Sequence, residues 1–283
     1  MENLLQGKKL FLVNNYLIMK IRQMKFAGAF YPADPVELKF MLDSFWENLE
    51  KFELKNPLKA GISPHAGYIY SGQVAAYTYE AIRQNLDNIP KTIFVMSPDH
   101  YIGMNKVLVG NYDELETPFW NLKVDKDVCK SLLENDLFTD EYLDNEQEHA
   151  QETQYPFLKY ILGDKSDEFK IVPLVFGQVD VVKIFEILDN YVNNSFFVVS
   201  SDLSHYHFYD AAVEKDQKSL DIIVNKKINE VNNLDACGIF PLISLLLLAN
   251  KYNWTGKLLK YLNSWDTAWD KIQVVGYGSV VYY

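Results

Sequence analysis

Cysteine is nearly absent from this chain, whose 283 residues include only Cys129 and Cys237. Two thiols close at most one disulfide, so a secreted scaffold stapled by several bridges is excluded. The expectation is a pair of free thiols in a reducing cytoplasm. Long apolar runs are lacking too. The longest, residues 239–249, is broken by Pro241 and Ser244 and falls well short of the ~20 residues that span a bilayer. It reads as a buried helix, and no membrane association is expected. Residues 10–19 are apolar but interrupted by Asn14 and Asn15, with no small-residue cleavage site behind them, so no signal peptide is expected either. Positive charge is also short, with 27 Lys and Arg against 38 Asp and Glu and a net charge of −11. That removes the clustered basic surface on which nucleic-acid binding depends. Neither phosphate-cradling glycine pattern, G-x-G-x-x-G or G-x-x-x-x-G-K-S/T, occurs.

The chain does have 48% hydrophobic content, enough to bury a large core. Apolar runs at 92–96, 106–109, 122–124, 169–176, 196–199, 257–262 and 274–281 read as strands. Segments with helical spacing follow Asp34-Pro35 and cover 73–86, 125–133, 181–191 and 210–225. Strands alternating with helices predict a mixed α/β fold whose central sheet is largely parallel and flanked by helices. No composition break divides residues 24–283, which read as one domain, and residues 1–23 read as a dispensable extension.

Three strand-like runs end in the same way. The run before Pro64 is followed by His65 and an aromatic, glycine-bracketed turn. The run at 92–96 ends in Ser97-Pro98-Asp99-His100, and the run at 196–199 in Ser200-Ser201-Asp202-Leu203-Ser204-His205. In open α/β sheets ligands bind outside the carboxyl ends of strands, so these tips are expected to converge. A lone histidine after a strand is more often structural than a ligand. Two at equivalent strand ends, each near an aspartate, shift the balance toward a metal, with Asp99, Asp202 or Glu148 to hold the imidazole nitrogen that faces away from it. A fourth histidine, His149, is crowded by Glu141, Asp144, Glu146, Glu148 and Glu152, a run that reads equally well as a solvated face or as part of a site. Cys237, just before a glycine and the buried helix, is the natural third donor. Two histidines and one cysteine suit zinc, iron or copper. Without a metal, the same cysteine and a histidine make a thiol nucleophile and its base.

These residues resemble a known family. Ser-Pro-His-Ala-Gly-Tyr-Ile-Tyr-Ser-Gly (63–72), Ser-Pro-Asp-His (97–100), Glu-His-Ala-Gln-Glu-Thr-Gln-Tyr-Pro-Phe (148–157), Ser-Ser-Asp-Leu-Ser-His-Tyr (200–206) and Ala-Cys-Gly (236–238) are similar to the motifs of the Memo family. Its prokaryotic members are the Memo component, protein B, of the AmmeMemoRadiSam system. The likeness runs from about residue 25 to the C-terminus. It departs mildly at Ser63, where alanine is usual, and at Ala150, Gln151 and Tyr155. The resemblance implies a fold like the catalytic subunit of class III extradiol dioxygenases, which use mononuclear non-haem iron. It also implies one iron or copper ion, with zinc as a further option, held by His65, His100 and Cys237. His149, Asp202 and His205 are then expected to be the catalytic residues lining the same pocket. The function it implies is metal-dependent redox or oxygen chemistry on a small molecule or peptide, in the cytoplasm, with radical-SAM and AMMECR-type proteins as partners. The alternative is a non-enzymatic peptide- or protein-binding module using that pocket, and a zinc hydrolase is a third reading.

Overall fold

The computed structural model describes residues 19–54, 57–143, 146–268 and 271–283. In chain order the strands are β1 (Ile21–Arg22), β2 (Ala60–Ser63), β3 (Thr92–Pro98), β4 (Val107–Val109), β5 (Glu114–Leu115), β6 (Leu122–Lys123), β7 (Phe138–Thr139), β8 (Lys170–Phe176), β9 (Ser195–Ser200), β10 (Gly256–Asn263) and β11 (Gly276–Tyr282). The α-helices are α1 (Pro35–Glu47), α2 (Tyr68–Arg83), α3 (Lys126–Leu133), α4 (His149–Glu152), α5 (Gln154–Leu162), α6 (Val181–Leu188), α7 (Tyr209–Asn225), α8 (Ile239–Lys251) and α9 (Ser264–Ala268). Eight strands form one sheet in the order β10-β11-β2-β9-β3-β8-β4-β7, and β1, β5 and β6 form a small second sheet.

The middle of the large sheet, β2-β9-β3-β8, is parallel throughout, while β11 joins β2 and β4 joins β8 in antiparallel fashion. This is the mixed, largely parallel sheet that the alternation predicts. β9 is buried along its whole length, as is β3 beyond Thr92 and β8 beyond Lys170. That is why those stretches read as nearly unbroken apolar runs rather than alternating ones. Helix α2 packs on β2, β10 and β11, α8 packs on β3 and β9, and α7 on β10 and β11. Asp34 caps α1 by accepting from the N–H groups of Val36 and Glu37, with Pro35 at the first helical position.

Two local readings need correction. Helix α2 starts at Tyr68, not at residue 73, because Gly72 is a packing glycine rather than a turn. A Cβ there would stand 2.4 Å from Cε2 of Phe45 on α1, so the missing side chain lets the two helices close up. The segment between the strand-like runs at 257–262 and 274–281, to which helical spacing assigned nothing, carries the short helix α9.

β11 also steadies the tip that follows β9. Gly276 accepts from Leu203 N–H and donates its own N–H to the Ser204 carbonyl. A Cβ on Gly276 would lie 2.0 Å from Oδ2 of Asp216. That buried carboxylate is fixed by Ser204 N–H and the Tyr261 hydroxyl. Gly276→Ala is therefore expected to destabilise the protein by about 1–3 kcal/mol, the usual cost of overpacking. Denaturant unfolding measures it, and an unchanged midpoint would show that Asp216 moves aside freely.

Candidate metal centre

Because β2, β9 and β3 are parallel neighbours, their carboxyl ends share one edge of the sheet. Adjacent strands stand about 4.8 Å apart, so β2 and β3 are separated by about 10 Å, a gap that two imidazoles can bridge. His65 and His100 do so, with ring centroids 5.4 Å apart. The short helix α4 brings a third ring, His149, 4.8 Å from that of His100 and 5.4 Å from that of His65. Ligand atoms of these three histidines all lie within 4.8 Å of one another.

The hydrogen bonds fix which nitrogen each ring offers. Ser200 Oγ lies 2.6 Å from the Ala150 carbonyl, which can only accept, so the single hydroxyl proton of Ser200 is committed there. The Nδ1 of His65, 2.8 Å from the same oxygen, must then be the donor, and its lone pair sits on Nε2. The Nδ1 of His100 donates to Glu148 Oε1 at 2.8 Å. The Nδ1 of His149 bonds the Tyr101 hydroxyl at 2.9 Å. With all three Nδ1 atoms occupied, Nε2 is what each ring has left, the usual arrangement in which outer partners orient metal-binding histidines.

Burial favours the neutral rings a cation needs. His65 is buried and its pKa lies well below the ordinary histidine value, through desolvation and then the neighbouring His100 and His205. Burial, and then His65, pull His149 down to about 4. Burial also pulls on His100, but the hydrogen bond and charge of Glu148 outweigh it and raise this ring. The donor set therefore fits a divalent first-row metal.

Cys237, at the start of the turn into α8, places Sγ 3.2 Å from His65 Nε2 and accepts from Asp202 N–H at 3.3 Å. At metal–nitrogen and metal–sulfur lengths of about 2.0 and 2.3 Å, tetrahedral ligands stand about 3.5 Å apart, so this contact suits two donors to one ion. It suits a nucleophile less well. Desolvation, and then Asp202, push the thiol pKa up while the His65 pKa goes down, the reverse of what a thiolate–imidazolium pair requires.

Comparison with known proteins bears on what this centre is. Residues 22–281 match the family model described as Memo-like protein. Curated relatives called MEMO1 family proteins include one from Ignicoccus hospitalis, 34% identical over 93% of this chain and 98% of its own length. One from Sulfolobus acidocaldarius is 32% identical over 92% and 98%, and one from Methanosarcina mazei 31% over 93% and 99%. The chain belongs to the Memo family. The extradiol dioxygenase-like fold expected from the resemblance goes with that membership.

Each of the six residues singled out in this Memo-family sequence can now be placed. His65 and His100 lie together as described, with His149, expected to be catalytic, inside the metal-capable group. Cys237, expected as a ligand, touches His65 from beside that group. Asp202 is buried, accepts from His65 N–H at 2.7 Å, and has its pKa pushed by desolvation up to about 6. His205, half-buried, donates from Nδ1 to the Leu203 carbonyl and lies close enough for its charge to act on His65 and Asp202. Asp99 does not hold a ring: its carboxylate accepts the N–H groups of residues 101–104. Glu148 does that work instead, also bonding His100 N–H and Ala150 N–H. Of the acidic run, Glu146, Glu148 and Glu152 are buried, while Asp144 lies outside the described residues, as do residues 1–18. Sequence reading missed Ser200 and Tyr101 as partners of the rings, although each sits in or next to a recognised tip. It also missed Arg22, which it had assigned to the dispensable extension.

Proposed function

We propose that this protein binds one iron or copper ion and carries out redox or oxygen chemistry on a small molecule or peptide. The observation that carries the proposal is the convergence of His65, His100 and His149, each anchored at Nδ1, with Cys237 against His65. His65, His100 and Cys237 are the proposed ligands, and His149 is placed to add a donor or to move a proton. Iron or copper held there supplies one-electron chemistry and dioxygen activation, and zinc would supply only Lewis acidity.

The chain's own residues contribute binding and proton handling. His205 donates from Nδ1 to the Leu203 carbonyl, and its Nε2 has no hydrogen-bond partner among the described residues, so that nitrogen is the one left to meet a bound molecule. Asp202 holds the backbone of His65 in place, and with a pKa near 6 it retains charge at neutral pH in a buried site. Thiolate in place of the usual third carboxylate changes the metal's electronics, so ring cleavage does not follow from the fold. The cytoplasmic setting and the radical-SAM and AMMECR-type partners belong to the same proposal and rest on the resemblance.

The exposed aromatic residues beside the tips, Tyr70, Tyr101 and Tyr206, favour a second reading in which the pocket mouth grips a peptide or partner protein without turnover. Metal analysis after anaerobic purification, followed by oxygen-uptake measurements, separates the two. Near-stoichiometric iron or copper with an oxygen-dependent spectral change is expected. Zinc with no such change would replace the proposal by a hydrolase, and metal-free protein that binds peptide would replace it by the binding module.

A further inference from the structure

Among the described residues Arg22 is the one buried Lys or Arg side chain, and its partners come from far along the chain. Its side chain lies buried behind α4, with Nε and Nη2 forking onto both oxygens of Glu146 at 2.6 and 2.9 Å. Nη1 donates to Glu152 Oε2 at 2.7 Å, and Nη2 reaches the Glu148 carbonyl at 3.2 Å. Glu146 passes the contact on by accepting Glu148 N–H at 2.6 Å. Glu152 also accepts the N–H of Lys25, the N–H of Phe26 and the hydroxyl of Tyr31.

One guanidinium thus ties both ends of the single-turn helix that carries His149. It also draws in the segment 22–31, which lays two rings against that imidazole, with Phe26 at 5.7 Å and Phe30 at 4.7 Å between centroids. Helix α4 runs through Thr153 into α5, which steadies its C-terminal end, but no helical turn precedes His149 at its N-terminal end, and one turn contributes little stability of its own. What fixes it must come from outside, and the Arg22 fork is the part that is rigid, charged and planar.

We infer that Arg22 is a positioning residue of the candidate metal centre, setting His149 and the Glu148 carboxylate, and through Glu148 the His100 ring. It touches no reacting atom. The inference rests on the metal reading for its purpose, though the placement of His149 is testable without metal.

The test compares the wild-type chain with Arg22→Lys, Arg22→Met and the charge-neutral Arg22→Met/Glu146→Gln/Glu152→Gln variant. The last is included because Arg22→Met alone strands two buried carboxylates, a change costly enough to threaten the fold. Two measurements are made on folded, metal-free protein. The first is the carbethoxylation rate of His149, read by mass spectrometry with His207 as internal reference. His207 faces Asp235, outside this network. A gain of about tenfold at His149 relative to His207 is expected once the helix is released. Lysine should recover only part of the protection, because it cannot reproduce the fork. The second is Co(II) affinity by chelator competition, expected to weaken about 10–100-fold, as for other groups that orient ligands. A merely structural role would lower the melting temperature and leave both readings within about twofold of wild type, and that result overturns the inference. Should wild-type protein fail to bind Co(II), the metal proposal falls, while the His149 rates still decide whether Arg22 positions the ring.

Discussion

His65→Ala is expected to lower the affinity for a divalent cation by about two to three orders of magnitude. Binding of a metal by about four protein donors is worth about 10–16 kcal/mol, so one donor contributes about 2.5–4 kcal/mol, and each 1.4 kcal/mol is tenfold. His65 should show the full effect for reasons specific to its surroundings. Its Nδ1 is fixed by Ser200, whose own position is set by Ala150 and Gln154, so the ring needs no reorganisation to bind. Its Nε2 also faces Cys237, so the same substitution removes the neighbour that aligns the thiol. Glu148→Gln provides the scale. Glu148 only orients the rings, and its loss is expected to cost about 10–100-fold. Competition against a chromophoric chelator measures both. An affinity for His65→Ala within about threefold of wild type would place the cation elsewhere.

The second large effect is in protons. Burial and the nearby Asp202 keep the Cys237 thiol protonated in the metal-free protein throughout the neutral range. If Cys237 binds as thiolate, one full proton must leave with each ion taken up. The histidines behave differently. The His65 pKa lies well below 6.5 and that of His149 is about 4, so both are already neutral at pH 7 and release nothing. His100, raised by Glu148, holds its proton to higher pH than an ordinary histidine and releases a fraction that shrinks as pH rises. The sign follows directly: a released proton makes affinity increase with pH, by about tenfold per unit for each whole proton. At pH 8 the wild type is expected to release one proton more than Cys237→Ala. The variant's own release, which comes from His100, should shrink as pH rises. Calorimetry in two buffers of different ionisation enthalpy counts the protons. Equal counts in the two proteins would remove Cys237 from the ligand set and leave the three imidazoles.

The sequence made the strand ends legible because parallel strands buried on both faces leave a strong signal. Residues 60–63, 92–98 and 195–200 are buried almost throughout and stop at polar tips. From three such tips, convergence on one sheet edge follows once the strands are taken as parallel. The start of α2 was hidden because Gly72 looks like a turn residue when nothing reveals that a ring from α1 packs against it. The outer partners of the site were hidden for a different reason. Arg22 sits on a two-residue strand that has no period to detect, and its carboxylate partners lie more than a hundred positions away. The acidic run around His149 was ambiguous for that same reason, since only a distant guanidinium turns a solvated face into a buried one.

The most direct test of the central claim is X-ray absorption at the metal edge of anaerobically purified protein, compared with the Cys237→Ala variant. If residues 65, 100 and 237 share one ion, the wild-type spectrum will show imidazole nitrogens at about 2.0–2.1 Å together with one sulfur at about 2.3 Å, and the sulfur will vanish in the variant. A first-row metal coordinated only by oxygen, or the same spectrum in both proteins, would contradict it.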